Sequence, residues 1–243
     1  IFSIYFFFKK EKNFWLGICI LIPILIIVLI IGYIKQGIAF SFFLIALDYW
    51  KNNNRNKFLL FLVFGIIFHK SLIVFTFLYF IPPTGRIQIN FTQFAVLIIA
   101  FILSIYLNIF NKFFYYIHQS GEYFYSSGAQ IRLFINLFPV IVFFIFFRFF
   151  YKLIEFRMNL IFSILSIGLI FFVRDYSTIV DRYVMYLSII QLTVFLRISE
   201  ITNDIRLNTL FYTSVLILYF AILLFWLLFA DNRFSWLPYR VIL

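Results

Sequence analysis

Long apolar runs separated by short polar stretches cover nearly the whole chain. A bilayer span takes about 20 mostly apolar residues. Residues 14–33 qualify first, with Pro23 as an expected kink that neighbouring helices accommodate. Residues 37–50 are short for a span and are followed by "KNNNRNK" at 51–57, which must meet water. Residues 58–81 are long enough but carry His69 and Lys70 near their middle. Five further runs follow at 91–110, 131–151, 158–173, 178–196 and 209–229, and the Tyr-, Ser- and Gly-rich stretch 111–130 reads as an interfacial loop. Helix is the expected conformation throughout, because an isolated strand leaves its backbone unpaired in lipid.

The pattern predicts an all-α integral membrane protein with about eight transmembrane or membrane-embedded helices, one of them broken at His69, in a single polytopic domain over 1–243. His69 lies 12 residues from either end of its run, which at ~1.5 Å per residue places it about 18 Å deep. An ionisable group at that depth usually lines a cavity; the plainer alternative is a buried His bonded to a neighbouring helix while Lys70 snorkels. Counting Lys and Arg by side does not orient the chain, since a complete crossing and a broken, returning segment give the same split.

Composition agrees with the pattern. The chain is 65% hydrophobic and 12% charged with a mean hydropathy of +1.07, against roughly 45–50% and about 25% in soluble domains. The net charge of +11 fits loop ends and anionic headgroups, and no nucleic-acid-binding motif accompanies it. Cys19 is the one cysteine, so an intrachain disulfide is excluded. The 40 Phe accompany abundant Ile, Asn and Lys, as an AT-rich genome would produce, and carry little functional weight by themselves. The chain begins with Ile1, and an N-terminal portion is expected to precede it.

Catalytic and cofactor signatures of soluble enzymes are absent. His69 and His118 have no second ligand at zinc spacing, no glycine loop has phosphate-cradling spacing, and no serine sits in a nucleophile elbow. No metal and no cofactor is expected. Four polar clusters remain: Lys35-Gln36; His69-Lys70-Ser71; "RDYSTIVDRYVMY" at 174–186; and "DNRFSWLPYR" at 231–240. In the third, a helix from about Thr178 puts Arg182 and Tyr186 four apart on one face. A guanidinium fork matches phosphate oxygens bidentately; an ordinary Arg/Tyr interfacial belt is the bland reading of the same residues.

Taken in order, "GYIKQGIAFSFFLIAL", the Asn/Lys loop, "FLVFGIIFHKSLIVF", "DRYVMYL" and "SWLPYRVIL" resemble the EpsG/Wzy-type polysaccharide polymerases of O-antigen, capsule and exopolysaccharide assembly. The matching positions are Lys35, Gly37, Ile38 and Ala39; Phe68, His69 and Ser71; Asp181, Arg182 and Tyr186; and Trp236, Pro238 and Tyr239. Lys35 departs from the pattern, where Arg is usual, and offers a point charge without the fork. The family's first helices are not visible in the chain.

The resemblance implies an enzyme of the bacterial cytoplasmic membrane that transfers undecaprenyl-diphosphate-linked oligosaccharide units onto one another at the outer face. Membrane lipid, a flippase and a chain-length regulator are the further partners it implies; nucleic acid is not. A diphosphate leaving group calls for cations, for which Arg182 and Arg174 come first and Lys35 second. His69 is the expected base for the acceptor hydroxyl, because imidazole titrates near neutrality; Asp175 or Asp181 is the runner-up. Gln36, Lys70, Ser71, Tyr183, Tyr186, Trp236, Tyr239 and Arg240 are the expected substrate contacts. A flippase of the same lipid-linked sugars, a related lipid-sugar transferase or ligase, and a membrane O-acyltransferase are the rival readings.

Overall fold

The computed structural model describes residues 4, 13–85, 91–106, 111, 125, 126, 128–201 and 204–229. Trp236, Tyr239, Arg240, His118 and most of the 111–130 loop lie outside them. The described residues contain helix and no strand. In chain order they form α1 (Phe14–Leu21) running into a π-helical stretch (Ile22–Gly32), α2 (Ile34–Lys51), α3 (Arg55–Phe68), a 3-10 helix (Lys70–Phe80), α4 (Phe91–Tyr106), α5 (Ala129–Ile145), α6 (Phe147–Phe150), α7 (Phe156–Ile170), α8 (Ser177–Leu187), α9 (Ile189–Phe195), a short 3-10 turn (Ile198–Glu200) and α10 (Ile205–Phe229).

The hairpin of α2 and α3 organises the molecule. Its turn is written in the asparagines of "KNNNRNK". Asn53 takes a positive φ of 54°, which Asn tolerates better than most residues. Asn54 caps α3, its side-chain oxygen accepting from Lys57 N at 3.2 Å. Higher up, Gly65 lets the helices close: a Cβ there would overlap a methyl of Leu72 and sit 3.2 Å from the Ala39 carbonyl. α2 has 18 residues, about 27 Å at ~1.5 Å each.

The chain breaks at His69. Its N–H closes the last turn of α3 onto Gly65 O at 3.0 Å, and its own backbone is extended (φ −145°, ψ 106°). The 3-10 helix then runs back. At the far end of α2, the Trp50 indole N–H reaches the carbonyls of Leu78 (3.0 Å) and Ile81 (2.8 Å). Residues 55–81 thus leave and re-enter beside the Trp50 end, with His69 at the apex level with Gln36. His69 still lies about 18 Å from the Lys57 end at ~1.5 Å per residue, but both ends of the segment are on the same side, because it is a bent pair of short helices and not one rod. The run at 37–50 also proved longer than its apolar residues suggested, since Lys35 and Gln36 belong to the first turn of α2 and not to a loop.

Among the described residues two stretches are long and apolar enough to cross a bilayer by length and composition: Ser177–Phe195, whose apolar window is 78% buried, and Ile205–Phe229, whose window is 11% buried. The contrast separates a central helix from a peripheral one. The described residues are helical throughout their regular structure, and eight spans do not follow from helix length, because Pro23, His69 and Phe146 divide apolar runs into shorter pieces.

Candidate functional site

Around the N-terminus of α2 lies a cavity of about 570 Å³, within the size range of small-molecule sites. Gly32, Tyr33, Ile34, Lys35 and Gln36 form one wall, and His69 contributes from the chain break. Tyr125 and Ser126 come from the segment preceding α5. Thr178, Asp181, Arg182 and Met185 complete it; their spacing of three, one and three is one stripe of α8. Lys35, Gln36, His69, Asp181 and Arg182 therefore meet, although up to 147 positions separate them in the sequence.

Gln36 ties two walls together. It is buried, and its amide donates to the backbone carbonyl of Arg182 at 3.1 Å. Gln36 thus adds a second donor to a carbonyl inside α8 and ties the start of α2 to the turn that carries Arg182.

Asp181 is held by a residue that sequence reasoning did not single out. Arg132, in the first turn of α5, grips both carboxylate oxygens through Nε (2.5 Å) and Nη2 (2.7 Å), the bidentate geometry of a strong ion pair. The Ser126 hydroxyl donates to the same carboxylate at 3.0 Å, and the Ser126 N–H donates to Ser177 Oγ at 3.0 Å. Gly128 leaves the space this requires, since a Cβ there would stand 2.6 Å from an Arg132 guanidinium nitrogen. Asp181 so anchors Tyr125 and Ser126 onto α8. A carboxylate accepting three such bonds is poorly placed to serve as a base. Nothing local in the sequence marks Arg132, because its partner is 49 residues away.

His69 makes its contacts through one ring nitrogen. Nδ1 lies 2.6 Å from Ser71 Oγ and 3.0 Å from Tyr186 Oη. Tyr186 has 0% exposure and is enclosed by the rings of Phe40, Phe43 and Phe75, with centroids 5.5–6.3 Å away. It shares a helix face with Arg182, yet it points into the core behind the cavity while Arg182 lines it. Substrate contact by Tyr186 is incompatible with that burial. Tyr183 packs at the edge of the core and does not line the cavity. Arg174 and Asp175 are exposed in the turn before α8, and Lys70 is exposed on the far side of the break; none of the three lines the cavity.

Among the described residues no three of His, Cys, Asp and Glu converge as a metal site would need. What the cavity offers is two cations, a histidine, and one carboxylate already matched by Arg132. Such a set suits an anionic ligand presented at the end of a helical bundle.

This is the site of an all-helical, membrane-associated protein that would meet its ligand at one end of its helices. The chain belongs to the EpsG family, whose profile matches residues 1–241, as the ordered motifs indicated. No curated protein and no solved structure matches the chain.

Proposed function

We propose that the chain is a membrane glycosyltransferase that polymerises oligosaccharide repeat units carried on a polyprenyl diphosphate, with the diphosphate as leaving group. On this reading it crosses the bacterial cytoplasmic membrane several times, about eight apolar segments are embedded, and the cavity opens toward the outer face. The observation that carries the proposal is the convergence of Lys35, Arg182 and His69, from three separate elements, on one cavity at one end of α2. Family membership supports the reaction class.

The chemistry asked of the site is modest. As the glycosidic bond to the diphosphate breaks, negative charge grows on the leaving oxygen, and Lys35 and Arg182 lower its energy. Gln36 keeps Arg182 in place, and Asp181 with Arg132 keeps Tyr125 and Ser126 at the cavity edge. The growing chain leaves its carrier and joins the sugar of a second lipid-linked unit.

The test is reconstitution of the complete gene product in vesicles with the native lipid-diphosphate-linked repeat unit and no other protein. A ladder of chain lengths is the expected product. Relocation of the unit across the membrane without elongation would transfer the chain to the flippases, and an added acyl mass would transfer it to the acyltransferases.

A further inference from the structure

Tyr183 and Tyr186, expected from the sequence as substrate contacts, do not line the cavity, but two other tyrosines do. Tyr33 and Tyr125 line it from different walls, and their exposures of 50% and 63% set them apart from the 0% of Tyr186. Neither packs against the hydrophobic core. Their backbones are nevertheless fixed. The Tyr33 N–H donates to Leu29 O at 3.1 Å, and its carbonyl accepts from the Gly37 N–H at 2.8 Å. Tyr125 precedes Ser126, whose N–H reaches Ser177 Oγ and whose hydroxyl reaches Asp181, both at 3.0 Å. The two segments are stitched to neighbouring residues of α8. Gln36, one turn after Tyr33, donates to the Arg182 carbonyl at 3.1 Å, while Ser126 holds Asp181. Both tyrosines therefore belong to segments held beside the same turn of α8, with rings that the core does not use.

We propose that Tyr33 and Tyr125 form a carbohydrate subsite of the cavity, taking the apolar face of the sugar attached to the diphosphate while the cationic part of the wall meets the diphosphate itself. This deepens the function proposed above and rests on it for the anionic half of the ligand. A sugar ring is amphipathic: C–H bonds point out of its faces and hydroxyls lie around its edge. The face of an aromatic ring carries negative charge density that attracts such C–H groups, and the tyrosine hydroxyl adds a polar tip at the ring's edge. Tyrosine also offers this area at small entropic cost, since two side-chain torsions place it. A tyrosine that only anchors the chain at the bilayer interface needs no cavity; these two line one together with Lys35, Arg182 and His69. Cations hold any lipid diphosphate, whereas ring faces beside them favour one that carries a sugar.

Equilibrium binding to the complete protein in lipid nanodiscs tests this without turnover. Two probes separate the halves of the ligand: bare undecaprenyl diphosphate, and the same lipid bearing the native repeat unit. The unsubstituted protein should bind the sugar-bearing lipid more tightly. Tyr33→Ala and Tyr125→Ala should each weaken that binding about two- to tenfold, the range of an aromatic-face contact, and leave the bare lipid unchanged. Lys35→Ala should weaken both probes. Tyr→Phe at either position keeps the ring face and should retain most of the affinity. Tyr→Leu keeps apolar bulk without the face and should behave as alanine; a leucine variant that binds like the parent would overturn the stacking role. Both residues are exposed, so folding should survive; if an alanine variant fails to fold, the leucine variant carries the same test. Equal loss for both probes, or no loss for either, would overturn the proposal. Equal affinity of the parent for the two probes would overturn the carbohydrate subsite and leave the lipid-diphosphate reading standing. A folded parent that binds neither probe would sink that reading, and this one with it.

Discussion

The two ends of α2 carry similar residues arranged for opposite purposes. At the cavity end, Lys35 and Arg182 line the cavity, and the nearby carboxylate Asp181 is gripped by Arg132. At the other end, about 27 Å away for an 18-residue helix, the charges close on themselves. Glu155, between α6 and α7, is 4% exposed and bridges Lys51 of α2 and Arg197 after α9, each at 3.1 Å. Arg197 also reaches Glu200 at 3.4 Å. Here two cations meet two carboxylates and three parts of the fold are pinned together. The difference teaches how to sort cations in a basic, apolar chain: a cation matched by a buried carboxylate holds helices, and a cation lining a cavity is the one to test for a ligand role.

That contrast is most easily broken at Glu155. Glu155→Gln keeps the shape and removes the charge that Lys51 and Arg197 share, while Arg197 keeps Glu200; losing one partner of a buried pair costs about 3–5 kcal/mol. The lower part of that range is expected, because the Lys51 and Arg197 side chains retain 12% and 21% exposure and can turn to water. Thermal unfolding in detergent measures it, and turnover per folded molecule should not change. A loss of turnover at full folding would mean that this end also takes part in the reaction. Acid titrates the same contact. Burial alone would raise the Glu155 carboxyl, but the charges of Lys51 and Arg197 and a backbone hydrogen bond outweigh it and hold it below its ordinary value of 4.5. The unfolded chain therefore takes up the proton first as pH falls. The contribution to stability is complete above pH 4.5 and is lost as pH drops through that value toward the lower folded one. Glu155→Gln should flatten this part of the unfolding profile.

Arg182→Ala is the counterpart at the cavity. Removing one charged donor from a site where negative charge develops costs about a hundred- to thousandfold in turnover, read from the rate of ladder formation, while the unfolding midpoint stays close to that of the parent. If the midpoint fell as far as in Glu155→Gln, Arg182 would have to be counted among the cations that hold helices. Lys35→Arg sharpens the same comparison, because it adds the fork that phosphate oxygens match; equal or higher turnover is expected, with a lower KM.

Which of these features a reader of the sequence can foresee depends on range. The break at His69 was legible, because an ionisable residue in the middle of an apolar run has to be accommodated by the backbone or by a cavity. The asparagine turn and the gathering of Lys35, His69 and Arg182 were legible for similar reasons, the last through the order of motifs. Arg132 and Glu155 were not. Each finds its partner far along the chain, and neither local period nor capping pattern records such a pair. Tyr186 was misplaced because a helix face was treated as one environment. Positions four apart share a direction, but α8 leaves the cavity between Arg182 and Tyr186, so one turn decides between ligand and core. The start of α2 was misplaced for a different reason: polar residues after Gly32 look like a loop, whereas a first helical turn tolerates them.

Gly65 joins the two ends mechanically. Gly65→Ala forces a methyl into Leu72 and toward the Ala39 carbonyl, and overpacking of this kind costs about 1–3 kcal/mol. The site lies one turn before His69, so widening the α2–α3 contact also moves the imidazole relative to Gln36. Both the unfolding midpoint and turnover should fall, in contrast to the single effects expected at Glu155 and Arg182. A fall in stability with turnover intact would mean that the His69 apex is placed by Tyr186 and Ser71 and not by the hairpin.

The smallest effect belongs between the two ends, where α10 meets the bundle. Tyr219, 2% exposed, donates to Gln191 Oε1 at 2.6 Å; Gln191 in turn donates to Asn136 Oδ1 at 3.2 Å, and Asn136 donates to Ser166 Oγ at 2.9 Å. Four helices are thus linked by uncharged side chains, the kind of contact that holds membrane helices without a hydrophobic driving force. Tyr219→Phe keeps the ring and orphans one acceptor, for a loss of about 0.6–1.7 kcal/mol. Turnover should be unaffected, since the residue touches neither the cavity nor the Glu155 cluster. The unfolding midpoint of Tyr219→Phe, set beside that of Glu155→Gln, then measures how much more a charged clasp contributes than a neutral one in the same protein. A loss as large as at Glu155 would mean that α10, despite its exposed apolar surface, is integral to the core and that its attachment depends on this one chain of hydrogen bonds.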